Sequence, residues 1–312
     1  MSKKVVIIYN PSARGGKALK KRKKVENSLR SQNIDYDLLL TRSESHLVEL
    51  SNKAVHKYPV IIGAGGDTTI NIIARAILQG RQGNALGIIS MGSTNDLARE
   101  IGVMRLKEAC NAIHSQSFQA IDVGMITSGE KNDPFFFLAQ ASIGLGVEVN
   151  RYVSAWMKRH PYVAKFHTLA QTTSGVAGIY NSFKSKAVPL NLQLDTTSMT
   201  RSFDSCLLIF NNTSYFAGRF QPSPLASPVD GKLDCCIFHS STFAQLLRTV
   251  MQIRSYKHLE QNRMEILQDH YFKIQSRRPF EFQIDGEIFS SDGNIEVSIL
   301  PRALKLVSNA VF

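Results

Sequence analysis

The sequence predicts a doubly wound α/β domain followed by a second, mainly antiparallel β domain that carries a helical insertion. Three observations predict it. Short apolar runs alternate with helix-spaced segments over the first third of the chain, and a glycine- or hydroxyl-rich turn closes three of those runs. After about Asp122 the pattern changes to short β-rich runs separated by turn residues.

Val5 to Tyr9 is a continuous apolar run, as in a parallel strand buried on both faces. Asn10-Pro11-Ser12-Ala13-Arg14-Gly15-Gly16 breaks it, and a helix follows from about Lys17 to Arg30. Tyr36 to Thr41 reads as the second strand and Ser45 to Lys57 as the second helix. Val60 to Ile62 reads as the third strand, ending in the loop Gly63-Ala64-Gly65-Gly66-Asp67. Ile70, Ile73, Ala74 and Ile77 mark the next helix, which Gly80 stops. Leu86 to Ser90 is the fourth strand, and Gly92-Ser93-Thr94-Asn95-Asp96 opens another helix. In such sheets ligands sit beyond the carboxyl ends of the strands, where all three turns lie.

Beyond Asp122 the strand candidates are Phe135 to Leu138, Leu190 to Leu194, Cys206 to Phe210, Leu233 to Phe238, Phe280 to Ile284 and Ile295 to Leu300. A helical insertion spans roughly Val147 to Ser185, and another helix lies near Thr242 to Tyr256. Asp230-Gly231, Asp285-Gly286 and Asp292-Gly293 read as turns, because Asp-Gly between alternating strands is a strong hairpin signal. With no repeat and no long linker, the active site is expected in a cleft between docked domains.

Composition narrows the partners. The 312 residues carry 37 Lys and Arg against 25 Asp and Glu, a net charge of +12, which favours anionic ligands or surfaces. Lys20-Lys21-Arg22-Lys23-Lys24 surrounds the apolar stripe Ala18, Val25 and Leu29, so it reads mainly as a solvated helix face. Arg151, Lys158, Arg159 and Lys165, near Tyr152, Trp156 and Tyr162, suit either a membrane-facing helix or ordinary amphipathic packing. No nucleic-acid recognition motif accompanies the charge. Cys110, Cys206, Cys235 and Cys236 form no C-x-x-C pair, which argues against a zinc ribbon or a disulfide framework and fits a reducing cytosol. The eight histidines show no metal spacing and read as structural. No stretch reaches the ~18 apolar residues of a membrane span, so membrane contact is expected to be peripheral, at the inner face.

Each glycine-rich turn can aim backbone N–H groups and a helix N-terminus at a phosphate. Three of them at one sheet edge point to a nucleotide. None fits the P-loop or the dinucleotide-binding fingerprint.

Taken in order, Asn10 to Gly16, Gly65-Gly66-Asp67, Gly92-Ser93-Thr94-Asn95-Asp96-Leu97-Ala98-Arg99 and Asp285-Gly286-Glu287 resemble the diacylglycerol kinase catalytic family of bacterial lipid kinases and sphingosine kinases. Phe135 to Gly146, Tyr215-Phe216-Ala217-Gly218 and Asp230-Gly231-Lys232-Leu233-Asp234 extend the likeness over nearly the whole chain. The resemblance implies a nucleotide-binding domain over 1–124, a lipid-binding β-sandwich over 125–300, and a tail, about 301–312, that returns to the first domain. It implies ATP contacts at Asn10, Pro11, Ser12, Ala13, Arg14, Thr41, Gly65, Gly66, Asp67, Thr68, Thr69, Ile70, Asn71 and Ser93. Glu287 would be the general base, with Asp285 and Asp67 also catalytic. A structural Mg²⁺ would be held by Asp230 and by carbonyls of Ser227 and Lys232. The implied reaction moves the γ-phosphate of ATP to a hydroxyl of diacylglycerol, phosphatidylglycerol or a related membrane lipid, and a homodimer is compatible with it.

Thr68 stands where the family has a fourth glycine, so a positive φ there would strain the loop. Ile72 stands where the family commonly has Glu, which removes a carboxylate from the phosphate-site helix. These two departures suggest, as an alternative, a nucleotide- or lipid-binding homologue with little catalysis. The Gly-Gly-Asp segment is shared with NAD kinases, a further alternative, but the Asn10-Pro11 loop and the Ser93-Thr94-Asn95-Asp96 spacing favour the lipid kinases.

Overall fold

The computed structural model describes residues 5–92, 94–129, 131–159, 167–184, 190–216, 220–240, 242–253, 256, 258 and 263–309. Its first elements are β1 (Val5–Tyr9), α1 (Lys17–Arg30), β2 (Tyr36–Leu40), α2 (Glu44–Val55), β3 (Val60–Gly65), α3 (Asp67–Gly80), β4 (Ala85–Ser90), α4 (Asp96–Glu100) and α5 (Leu106–Ser115). Next come β5 (Phe118–Ser128), β6 (Lys131–Phe137), β7 (Gln140–Gly144), α6 (Leu145–Arg159), α7 (His167–Lys184), β8 (Leu190–Thr196), β9 (Thr200–Ser205) and β10 (Leu207–Asn211). The last are β11 (Leu233–Phe238), α8 (Phe243–Ile253), β12 (Met264–Asp269), β13 (Tyr271–Gln275), β14 (Phe280–Ile284), β15 (Glu287–Ser291) and β16 (Asn294–Val307).

The first four strands pair in parallel in the order β2-β1-β3-β4, and their side chains form one core with the helices around them. Both β1 and β3 are buried on both faces, which is why they read as unbroken apolar runs. The third strand is longer than its sequence suggests: Gly63, Ala64 and Gly65 stay in the sheet rather than forming a loop. A Cβ on Gly63 would come within 2.6 Å of Ile70 Cδ1, and one on Gly65 within 2.4 Å of Thr69 Oγ1. The glycines make room for the first turns of α3 to pack directly on β3.

The same sheet continues into the second half. β16 pairs in parallel with β4 at one end and antiparallel with β13 and β5 along the rest, and β8 and β9 extend that side. A separate six-stranded antiparallel sheet runs β12-β11-β10-β7-β14-β15. Phe210, Phe272, Phe282, Ile295 and Val297 lie between the two sheets, closing a β-sandwich. The helical insertion is the pair α6 and α7, and the returning segment is the far end of β16, so the architecture is α/β followed by a β-sandwich.

β16 runs straight through Pro301, past the Leu300 limit that the sequence suggested. A register shift between Leu300 and Leu304 absorbs the proline, and Arg302 takes a left-handed φ of 51° there. The Arg302 N–H donates to Asp122 Oδ1 at 2.7 Å, while Asp122 Oδ2 accepts from Gly231 N at 2.7 Å. One buried carboxylate thus fastens the bulge to the loop before β11.

On α1, Ala18, Val25 and Leu29 are buried; Lys20, Lys21, Lys23 and Lys24 face solvent, and Arg22 pairs with Glu26 at 2.6 Å. Arg151 is taken up by ion pairs to Glu148 (2.9 Å) and to Glu281 of β14, which ties α6 to the sandwich. Tyr162 and Lys165 lie outside the described residues, as does the side chain of Lys158. Among the described residues no helix is long and apolar enough to cross a membrane.

Candidate active site

Three turns follow β1, β3 and β4 at one edge of the sheet, and side-chain bonds stitch them together. After β1, Asn10 Oδ1 accepts from Ser12 N at 3.0 Å, closing a local turn, and Asn10 Nδ2 donates to Thr69 Oγ1 at 3.0 Å. The first turn is thereby tied to α3. Arg14, Gly15 and Gly16 all have positive φ (53°, 64° and 82°), and the space around both glycines is open, so it is their backbone conformation that requires them. Pro11 and Ala13 are half-buried, whereas Ser12 and Arg14 are exposed. Thr41, at the end of β2, is buried and donates its N–H to Tyr9 O at 3.0 Å.

Gly66 needs its glycine for another reason. Its φ is −97°, and its Cα lies against Gly92; a Cβ on Gly92 would be 2.6 Å from Gly66 Cα and 2.6 Å from Asn95 Oδ1. The second and third turns touch backbone to backbone. Gly92→Ala is expected to cost about 1–3 kcal/mol of stability, as read by thermal unfolding. A wild-type melting temperature would show that the contact yields freely.

Asp67, the first residue of α3, holds the third turn. Its Oδ2 accepts from Thr94 Oγ1 (2.6 Å) and Asn95 N (2.9 Å), and its Oδ1 from Asp96 N (3.1 Å). Asn95 sits at φ 53°, and its amide bonds both the N–H and the carbonyl of Gly92 at 2.9 Å. Helices α1 and α3 both begin at a glycine with no side-chain cap at the shared edge; in α1 the Ala18 and Leu19 N–H groups donate to Ala13 O and Gly16 O, both at 3.3 Å. Ser93 lies outside the described residues.

Thr68 is helical and exposed, with no positive φ, so the strain expected there does not arise. Thr68→Gly should therefore lower stability slightly, by about 0.3 kcal/mol through helix propensity, rather than relieve the loop; a rise in melting temperature would contradict this. Thr69, Ile70 and Asn71 are buried in α3, and Ile72 packs in the first core where a carboxylate would be desolvated.

Opposite α3 stands the turn between β14 and β15. Asp285 and Gly286 both have positive φ (48° and 94°), the two-residue hairpin geometry that Asp-Gly favours, and Ile284 pairs with Glu287 across it. Glu287 Oε2 accepts from Arg75 Nη2 of α3 at 3.0 Å. Asp285 keeps partial exposure as a residue, but its carboxyl is desolvated. Burial first, then the negative charge of Asp67, push its pKa up to about 7, against N–H groups of Leu138 and Gln140 and the charge of Arg75. Asp67, Arg75, Asp285 and Glu287 therefore belong to one electrostatic neighbourhood spanning both halves of the chain.

Other contacts across the halves were not signalled by the sequence. Glu100 of α4 accepts from Ser214 N (3.1 Å) and Ser214 Oγ (2.9 Å), and burial raises its pKa. Arg99 lies over the Tyr215 ring at 5.5 Å. Ala217 and Gly218 lie outside the described residues.

The Ser227, Asp230 and Lys232 group is separate from this centre, at the loop before β11. Asp230 is exposed, and Lys232 N donates to its Oδ1 at 3.0 Å. Partial burial raises its pKa, opposed by that N–H and supported by the neighbouring Asp234 and Asp122 carboxylates. Among the described residues no three His, Cys, Asp or Glu side chains form a metal cage. A single carboxylate, backbone carbonyls and water are nonetheless the hard oxygen donors Mg²⁺ accepts, and a cation would relieve the crowding of three aspartates.

Residues 4–126 match the diacylglycerol kinase catalytic domain, and residues 140–308 match the YegS C-terminal NAD kinase beta sandwich-like domain. A diacylglycerol kinase of Bacillus subtilis is 21% identical over 91% of this chain and 90% of its own length. One from Staphylococcus aureus is 24% identical over 92% and 87%. A crystal structure of a diacylglycerol kinase from Bacillus anthracis superposes with a TM-score of 0.72 at 18% identity, covering 98% of this chain and 97% of that one.

Proposed function

As the chain belongs to the diacylglycerol kinase catalytic-domain family and is thus a phosphotransferase, we propose that it is an ATP-dependent lipid kinase that phosphorylates a hydroxyl of diacylglycerol, phosphatidylglycerol or a related lipid. One observation carries this reading: three phosphate-suited turns, cross-linked through Asn10–Thr69, Gly66–Gly92 and Asp67–Thr94, face a turn that presents Asp285 and Glu287.

Phosphoryl transfer asks a protein chiefly for positioning and charge neutralisation. The backbone of 10–16 and the uncapped starts of α1 and α3 would hold the triphosphate, with Thr41, Gly65, Gly66, Thr68 to Asn71 and Ser93 around it. Asp67 keeps the third turn in place. Glu287 takes the proton of the acceptor hydroxyl as that oxygen bonds to the γ-phosphorus and the bond from the γ-phosphorus to the β,γ-bridging oxygen breaks, releasing ADP. Asp285, protonated or ionised near neutral pH, adjusts the charge beside it. Away from the transfer, Asp230 with the Ser227 and Lys232 carbonyls would hold a Mg²⁺ that offsets the neighbouring carboxylates and orders the loop before β11. In this reading 1–124 with 301–312 binds the nucleotide, 125–300 receives the lipid, and the protein works from the cytoplasm at the inner membrane face.

The test is incubation of the purified protein with γ-labelled ATP, Mg²⁺ and vesicles of mixed lipids, with NAD as a separate acceptor. Label extracted with the lipid supports the proposal. Labelled NAD alone would make it an NAD kinase-like enzyme, and ATP binding without transfer would make it a non-catalytic homologue.

A further inference from the structure

The proposed base is not held by its own hairpin alone. Asn150 Nδ2 of α6 grips the Gly286 carbonyl at 2.7 Å, while the bonds joining Asp285 to Leu138 and Gln140 are long, at 3.4 Å each. Glu287 itself is 33% exposed and has three side-chain torsions to fix. The group that fixes them is Arg75, itself 25% exposed, through the 3.0 Å bond from Nη2 to Oε2.

Arg75 lies eight residues beyond Asp67 on α3, about 12 Å along the axis at 1.5 Å per residue. Asn71, buried one turn beyond Asp67, continues the same face. The helix that begins in the phosphate edge therefore carries, two turns later, the cation that reaches across to the hairpin. The groups facing Asp285 are Asp67 and Arg75 from α3, with the Leu138 and Gln140 amides from the β6–β7 junction.

We propose that Arg75 is a positioning residue: it aims the Glu287 carboxylate at the edge where α3 begins and offsets the repulsion between Asp67 and Asp285. This deepens the kinase reading and rests on Glu287 being its base. Displacing a catalytic group by an ångström can lower a rate on the order of 10²-fold, so R75Q is expected to lower kcat by about 10- to 100-fold with KM for ATP little changed. R75K should restore most of the rate. Because Arg75 acts through Glu287, R75Q should add little in an E287Q background.

A pH profile separates this role from a merely structural one. Arg75 holds the Asp285 pKa down, so the inflection near pH 7 should move to higher pH in R75Q and return in R75K. Circular dichroism checks folding, and R75M, which keeps the apolar stem, replaces R75Q if the latter does not fold. Wild-type kcat and pH profile in the charge-deleting variant, or a fully additive loss in the double variant, would overturn the proposal. If E287Q alone leaves the rate intact, it is the base assignment that fails.

Discussion

With Glu287 as the proposed base, its replacement by Gln is expected to lower phosphoryl transfer by about 10²–10⁴-fold, the usual contribution of a positioned base, while the affinity for ATP, the proposed co-substrate, stays within a few-fold. Gln keeps the size of the side chain and one acceptor oxygen but cannot take the hydroxyl proton. Glu287 is the first residue of β15, paired across the turn with Ile284, so its backbone is set by the ladder and the substitution leaves the hairpin intact. In the proposed reading the nucleotide is held by the turns after β1, β3 and β4, on other elements than β15, which is why binding and turnover should separate. Single-turnover rates and nucleotide titration measure the two. An unchanged rate would remove Glu287 from the chemistry and move attention to Asp285.

The second large effect concerns stability. Asp285 titrates at about 7 in the fold because burial and Asp67 disfavour its anion, against about 3.9 in an unfolded chain. Between those values the folded protein keeps a proton that the unfolded chain has released. The stability this group contributes is complete below about pH 4 and falls as pH rises, until it is lost above about pH 7. Asp285→Asn removes the titration. It should therefore match the wild type near pH 4 and exceed it at pH 8, by at most about 4 kcal/mol, at 1.36 kcal/mol per unit. Asn tolerates the left-handed φ of 48° found there, so the backbone does not oppose the change. Thermal unfolding across that pH range measures it, and a pH-independent difference would contradict the linkage. A loss of activity alongside the gain in stability is the trade expected if the carboxyl serves the proposed reaction.

Much of the fold is legible in the sequence because buried strands announce themselves as apolar runs. β1, β11 and β14 begin and end where the sequence places them. The misreadings have local causes. Gly63 and Gly65 look like a loop because glycine usually breaks strands, yet here the missing Cβ atoms admit Ile70 and Thr69. Pro301 looks like a stop, but the bulge at Arg302 and its bond to Asp122 carry the strand past it. At the site, the glycines and acids of the turns are visible, whereas Arg75 is not. It resembles any cation on an amphipathic helix, and its partner lies 212 residues away. Asp122 and Glu100 hide for the same reason: their work is done with backbone and hydroxyl donors in distant segments, which no local pattern reveals.

The position of β16 has a consequence for biogenesis. Lys305 and Leu306 pair with Ala85 and Leu86, so the strand made after all the others occupies the middle of the sheet that β1 opened. While the chain is being synthesised, β4 presents bare N–H and C=O groups along one side, an invitation to intermolecular pairing. Contacts this remote in sequence also form slowly, because a long loop must close first. That side of β4 is covered only once β16 has been made and has folded back onto it.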